Sequence, residues 1–186
     1  MSGPFFFGYG SLVNRRTHDY PQCAPARVRG WRRAWRASPL RRRCFLTAVP
    51  AADGEIEGLV AMVPGGDWAA LDAREHAYAR RPVLALTADG APREVALYAI
   101  PEGAHHPPGP DHPVVLSYID AVVQGFLAEF GAAGARRFFD STEGWQVTVI
   151  DDRAAPIYAR HQRLGAEERA FVDAELARLG VRIVPG

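Results

Sequence analysis

Two short stretches carry the residue types that could do chemistry. The first is Phe7-Gly8-Tyr9-Gly10-Ser11-Leu12. Phe5, Phe6 and Phe7 read as a buried strand, and the glycines after them as a turn whose backbone can approach a ligand closely. Such a turn offers outward N–H groups beside the hydroxyls of Tyr9 and Ser11, which suits a carboxylate or another small anion. A plain tight turn in a sheet is the competing reading. The second stretch is Leu71-Asp72-Ala73-Arg74-Glu75. Glu75 stands four residues past Leu71, on the same side as a core-facing residue, and an acid at the edge of an apolar helix face is placed for general acid–base work. Arg74, His76 and Arg80 could instead hold it as an ion-paired surface residue.

Other candidates carry similar alternatives. Tyr118 lies on the apolar stripe of a helical pattern, so it is either a core residue or a hydroxyl aimed into a pocket floored by the glycine turn. Tyr9 and Tyr78 share that ambiguity. Arg80 and Arg81 could neutralise a substrate carboxylate or form a solvated pair. Ser11 is not set as a nucleophile elbow, because Gly8-Tyr9-Gly10-Ser11 is not G-x-S-x-G. His105, His106, Asp111 and His112 include metal-ligand types, but adjacent histidines point apart and Pro107, Pro108 and Pro110 stiffen the span. They read as a surface loop, and neither a metal nor an organic cofactor is expected.

Residues 27–43 hold eight arginines, Trp31, Trp35 and no acid. Guanidinium forks and indoles suit phosphates and stacked bases. The same alternation makes a half-buried strand with its arginines snorkelling to solvent, and that reading is preferred, with no nucleic-acid partner. The bulk charge agrees: 22 basic residues, all arginine, face 21 acids and leave +1. With 186 residues, 48% hydrophobic and 23% charged, the chain reads as one soluble globular domain. No apolar run approaches the roughly 20 residues of a membrane span. Met1-Ser2-Gly3-Pro4 has no basic leader and the phenylalanine run is short, so the location expected is cytoplasmic, without a membrane partner. Cys23 and Cys44 lack metal or redox spacing and read as free thiols.

The elements that must position these residues follow from pattern. Residues 27–35 read as a strand leading to a turn at Ser38-Pro39. Residues 44–49 and 55–63 read as a hairpin closed by Pro50 and Asp53-Gly54. Asp67 is the expected cap of a short helix. Residues 82–86 and 93–100 read as strands around Asp89-Gly90. Residues 114–130 form the clearest helix, with Val115, Tyr118, Ile119, Val122, Phe126 and Phe130 at helical spacing, ending near Gly131. A helical turn over 136–139, a strand over 145–150 and a helix over 166–179, stopped by Gly180, complete the chain. Strands joined mostly by hairpin-length turns, without regular βαβ alternation, predict an α+β domain. The glycine turn is not followed by a long helix, which removes a dinucleotide fingerprint.

Taken together, the Phe7-Gly8-Tyr9-Gly10-Ser11-Leu12 turn, the Leu71–Glu75 segment, the Ser117-Tyr118 segment leading to Gly125, and Asp152-Arg153 followed by Pro156, Tyr158 and Arg160 resemble the gamma-glutamylcyclotransferase-like superfamily, with its AIG2-like and ChaC-like branches. The resemblance implies a compact mixed β-barrel with flanking helices, a single domain over 1–186 in which 161–186 is a helical extension. It implies that Tyr9, Gly10, Ser11 and Leu12 cradle a gamma-glutamyl group, that Glu75 is the acid/base, and that Tyr118 assists. Tyr78 and Arg80 are further binding candidates. The implied reaction is an intramolecular acyl transfer of the carbon–nitrogen lyase type, releasing 5-oxoproline and an amine, as in glutathione metabolism, with no cofactor, from a monomer or homodimer. A non-catalytic binding protein for a small carboxylate metabolite is the alternative.

Overall fold

The computed structural model describes residues 3–39, 41–88, 90–109 and 111–186. Five strands close into a mixed barrel: β1 (Phe5–Gly8), β2 (Ala24–Ser38), β3 (Arg41–Met62), β4 (Ala79–Thr87) and β5 (Pro92–Ala99). The order is β3-β1-β5-β4-β2, and β2 pairs with β3 to shut the ring. Between β3 and β4 lies a short helix, α1 (Ala69–Arg74). The short strand β6 (Val114–Val115) runs straight into the long helix α2 (Leu116–Ser141), which breaks at Gly131. After it come β7 (Thr142–Glu143), which joins the barrel beside β2, then β8 (Thr148–Asp151), α3 (Ala166–Arg178) and β9 (Arg182–Pro185). A small parallel sheet, β6-β8-β9, ties the last third of the chain to the start of α2.

β1 is central because each phenylalanine face has its own core. Antiparallel to β3 and parallel to β5, it sends Phe7 into the main cluster with Trp35, Val60, Phe126 and Phe138. Phe6 goes into a second cluster with Leu12, Leu71 and Tyr98. Both are essentially sealed from solvent, and each such burial contributes about 1.5–3 kcal/mol. α2 lays Ile119, Val122, Val123 and Phe126 against the barrel, and α3 adds Val172 and Leu176 to the same core.

Several local expectations need correction. Asp53-Gly54 does not close a hairpin. β3 runs through it, paired along its length with β2, and the last pair before the reversal is Ser38 with Arg41. Between the pairs Arg29↔Glu55 and Trp31↔Pro50, β2 has only Gly30 while β3 has residues 51–54, a bulge that absorbs the turn-forming residues. Gly30 sits there at φ +82, a conformation glycine adopts without steric cost. The bulge also shifts the inward phase of β2. Ala26 and Val28 face in before it, whereas Arg33 and Trp35 are buried after it. Arg33 therefore does not snorkel. It is 1% exposed, its guanidinium packed over the rings of Phe126 and Phe138. The Asp89 half of the Asp89-Gly90 turn, and Met1-Ser2, lie outside the described residues. Among those described, no helix is long and apolar enough to cross a membrane.

Candidate active site

The mouth of the barrel beside α2 holds two adjoining cavities. The inner one, about 40 Å³, is walled by Phe7 to Leu12, Leu46, Glu75, Tyr78, Tyr98 and Tyr118. The outer one, about 230 Å³, shares Ser11, Leu46, Glu75, Tyr78 and Tyr118, and adds Arg74, Cys44, Val114, Tyr158 and Arg160 among others. The sequence-derived candidates Tyr9, Gly10, Ser11, Leu12, Glu75, Tyr118 and Tyr78 thus meet around one cleft. Arg80 is not among the lining residues: it pairs with Asp72 and stacks on Trp68.

The glycine turn is held from all sides. After β1 the chain enters a 3₁₀ turn over Ser11–Val13, closed by Val13 N–H to Gly10 C=O. The leading N–H groups of a helical turn have no partner within it. Arg33 donates to the Tyr9 carbonyl from below, and also to the Glu57 carbonyl. Burial pushes the Arg33 guanidinium down to about 10, with the Glu57 carboxylate opposing. The Leu12 carbonyl faces His18 Nε2 at 3.0 Å. Arg74 reaches Ser11 Oγ, Thr17 C=O and Thr17 Oγ1. Gly10 is needed for close approach, since a Cβ there would lie 2.8 Å from the Tyr118 hydroxyl.

Glu75 follows the last residue of α1, its N–H bonded to Leu71 C=O, and α1 is oriented by burial of Leu71 and capped by the Asp67 carboxylate on Ala69 N–H. Its carboxylate faces both cavities and pairs with Arg74 at 3.3 Å. The negative charge is felt across the cleft. Tyr9, Tyr98 and Tyr118 all have pKa values held above the ordinary phenol range, first by burial and in part by Glu75. These tyrosines are neutral hydrogen-bonding groups over the physiological range. Tyr118 stands edge-on between Trp35 and Tyr158, and the Ser11 backbone hydrogen-bonds its hydroxyl. Tyr9 contributes its ring and backbone, because its hydroxyl donates to Tyr98 C=O and accepts from Ala48 N–H in the barrel wall. The Tyr78 hydroxyl donates to Leu46 C=O.

Arg33, Arg74, Leu46, Tyr98, Tyr158 and Arg160 escaped the sequence reading as site residues. Arg74 had a signal in its position next to Glu75. Tyr158 and Arg160 arrive by a long route: the β6–β8 pairing sets Asp152 against the first turn of α2, where it accepts from Ser117 N–H, Ser117 Oγ and Ile157 N–H. Arg153 clamps Asp120 with two 2.7 Å bonds and also reaches Asp173. The tail so fixed crosses the cleft, with Tyr158 N–H bonded to Ser117 Oγ. His105, His106, Asp111 and His112 line neither cavity. His106 pairs its backbone with Ala37 and packs its ring against His112. Among the described residues, no three His, Cys, Asp or Glu side chains gather as metal ligands.

A closed mixed barrel whose mouth carries a glycine turn, a carboxylate and a ring of neutral tyrosines frames a small cleft lined by both polar and apolar groups. The chain belongs to the family described as gamma-glutamyl cyclotransferase, AIG2-like, whose profile matches residues 6–120. No curated protein matches the sequence. The solved structures that share the fold include three at 15% identity. A gamma-glutamyl cyclotransferase superimposes with TM-score 0.59 over 93% of this chain and 99% of its own. An uncharacterised protein from Homo sapiens gives 0.59 over 91% and 97%. A yeast gamma-glutamyl cyclotransferase specific to glutathione gives 0.50 over 96% and 97%.

Proposed function

We propose that the protein is a gamma-glutamyl cyclotransferase, converting a gamma-glutamyl amide to 5-oxoproline and a free amine. The α-carboxylate of the glutamyl group reaches into the inner cavity, against the N–H groups of the glycine turn, and the rest of the substrate lies in the outer one. Glu75 takes a proton from the α-ammonium group. The freed amine attacks the γ-carbonyl carbon, the C–N bond to the leaving group breaks, and the proton on Glu75 passes to the departing nitrogen. The ring nitrogen gives up its remaining extra proton, so the amine leaves as an ammonium ion. Ring closure is intramolecular, and the protein's task is to fold the glutamyl chain back on itself and move protons. N–H groups of the turn and the Tyr118 hydroxyl are the donors available to the oxygen that gains charge in the tetrahedral intermediate.

The observation that carries this reading is the meeting of the glycine turn, Glu75 and Tyr118 around one cleft although they lie far apart in sequence. The test is 5-oxoproline release from a panel of gamma-glutamyl amino acids, gamma-glutamyl amines and glutathione. Glu75→Gln keeps the size and a hydrogen-bonding group but cannot accept the proton. Turnover should fall by at least about 100-fold with folding intact. Folded Glu75→Gln with near wild-type turnover would remove Glu75 from the mechanism. A wild-type protein that binds these compounds and releases no 5-oxoproline would make it a binding protein.

A further inference from the structure

The outer cavity is lined by three charged side chains whose circumstances differ. Glu75 and Arg74 pair with each other, and Arg74 also spends its guanidinium on Ser11 and Thr17. Arg160 has no ion pair and no side-chain hydrogen bond among the described residues, although it lines the same cavity. Nothing else in that wall offsets it. Burial pushes the Cys44 thiol up to about 12, so it is a neutral SH there, and the remaining polar groups are tyrosine and serine hydroxyls. The outer cavity therefore carries one uncompensated positive charge.

Position narrows what that charge serves. Arg160 lines the outer cavity only, while Gly8 to Gly10 and Leu12 line the inner one only. Glu75 and Tyr118 stand at the junction. A gamma-glutamyl group with its carboxylate on the glycine turn would extend past Glu75 at the junction, leaving its departing group in the outer cavity that Arg160 lines. The tail that brings Arg160 there is firmly built. Asp152 is 4% exposed and bonded to Ser117, and Tyr158 N–H and His161 N–H fix the turn on either side of Arg160.

Resting on the cyclotransferase reading, we infer that Arg160 binds a carboxylate on the leaving group, so that the preferred substrates are gamma-glutamyl amino acids or peptides rather than gamma-glutamyl amines. A guanidinium takes a carboxylate through two parallel N–H···O bonds, a fit that an uncharged alkyl amine does not offer.

The experiment uses two compounds that differ only by that carboxylate, gamma-glutamylalanine and gamma-glutamylethylamide. Equilibrium binding and 5-oxoproline release are measured on wild type and on Arg160→Met, an exposed position where methionine keeps the length of the stem. Wild type should favour gamma-glutamylalanine by about 10-fold in affinity and in kcat/KM, the scale of one partly solvated charged hydrogen-bonding pair. Arg160→Met should lose that preference while handling the ethylamide as wild type does. Equal ratios in the two proteins, or no preference in wild type, would overturn the inference. If the binding preference depends on Arg160 but neither compound yields 5-oxoproline, the carboxylate site stands and the cyclisation reading fails. Binding of neither compound would refute both.

Discussion

A methyl group placed on Gly10 would test how tightly the glycine turn and α2 are keyed together. Built on the backbone, the Cβ falls 2.8 Å from the Tyr118 hydroxyl oxygen and 3.3 Å from Leu46 Cδ2, where ordinary contact begins at 3.4 Å. The phenol would have to retreat by roughly 0.6 Å, and it has little room to do so, with Trp35 and Tyr158 edge-on at ring separations of 5.9 and 5.0 Å. Forcing extra carbon into a packed site typically costs about 1–3 kcal/mol, so Gly10→Ala should destabilise by about 1–2 kcal/mol. In a chain of this size each kcal/mol lowers Tm by about 2–4 °C. Removing the clashing atom should relieve most of the cost. In Tyr118→Phe the nearest ring carbon is Cζ, at 4.0 Å in the present geometry, an ordinary contact. Gly10→Ala should then cost about 1 kcal/mol less than it does in wild type. Any intrinsic backbone penalty for alanine enters both legs of the cycle and cancels. Urea denaturation of the four proteins measures the coupling, and 5-oxoproline release measures the functional side. The single Gly10→Ala variant should lose at least about 10-fold in turnover, because the pushed phenol no longer faces the cleft correctly. Equal destabilisation by Gly10→Ala in both backgrounds would refute the argument that the Tyr118 hydroxyl is what the glycine accommodates.

His18 predicts an acid sensitivity of the same turn. Its Nδ1 accepts Tyr20 N–H while Nε2 faces Leu12 C=O, an arrangement only the neutral ring can make. Burial, aided by Arg74 and Arg15, lowers its pKa below 6.5. Below about pH 6.5 the unfolded chain binds a proton that the folded chain resists, so this stability is present above 6.5 and is lost as pH falls through the folded value. Thermal denaturation between about pH 7.5 and 5 should therefore show a pH dependence that His18→Gln flattens; an unchanged slope in the variant would remove His18 as its source. The arginine-rich strand should not bind nucleic acid strongly, because Arg27, Arg29, Arg32 and Arg36 pair with Glu55, Glu57, Asp53 and Glu143, and Arg33 is buried. Salt-sensitive binding of random RNA tighter than about 10⁻⁴ M would contradict that.

Much of the molecule was legible in residue order because its signals are local. Three phenylalanines followed by Gly8 and Gly10 mark a buried strand and its turn, and the period of Ile119, Val122 and Phe126 marks the first part of α2, which kinks at Gly131 and continues to Ser141 instead of ending there. An acid one helical turn past Leu71 stands out for the same reason. The tertiary structure alone decided the rest, where the outcome turns on a single backbone position or on partners distant in the chain. One residue, Gly30, set against residues 51–54 changes the phase of β2 and turns Arg33 inward, where it holds the Tyr9 carbonyl. Alternation read along β2 cannot show this, because the extra residues belong to the partner strand. Asp53-Gly54 reads as a turn for the same reason: its residues suit a reversal, and only pairing with β2 spends them in a bulge. The Tyr9 hydroxyl bonds to Tyr98 and Ala48, 89 and 39 positions away, which takes it out of the cleft. Tyr158 and Arg160 reach the site because Asp152 finds Ser117, 35 positions earlier. Hydrogen bonds and close packing act over a few ångströms of space, and in a closed barrel the residues that share that space come from both ends of the chain.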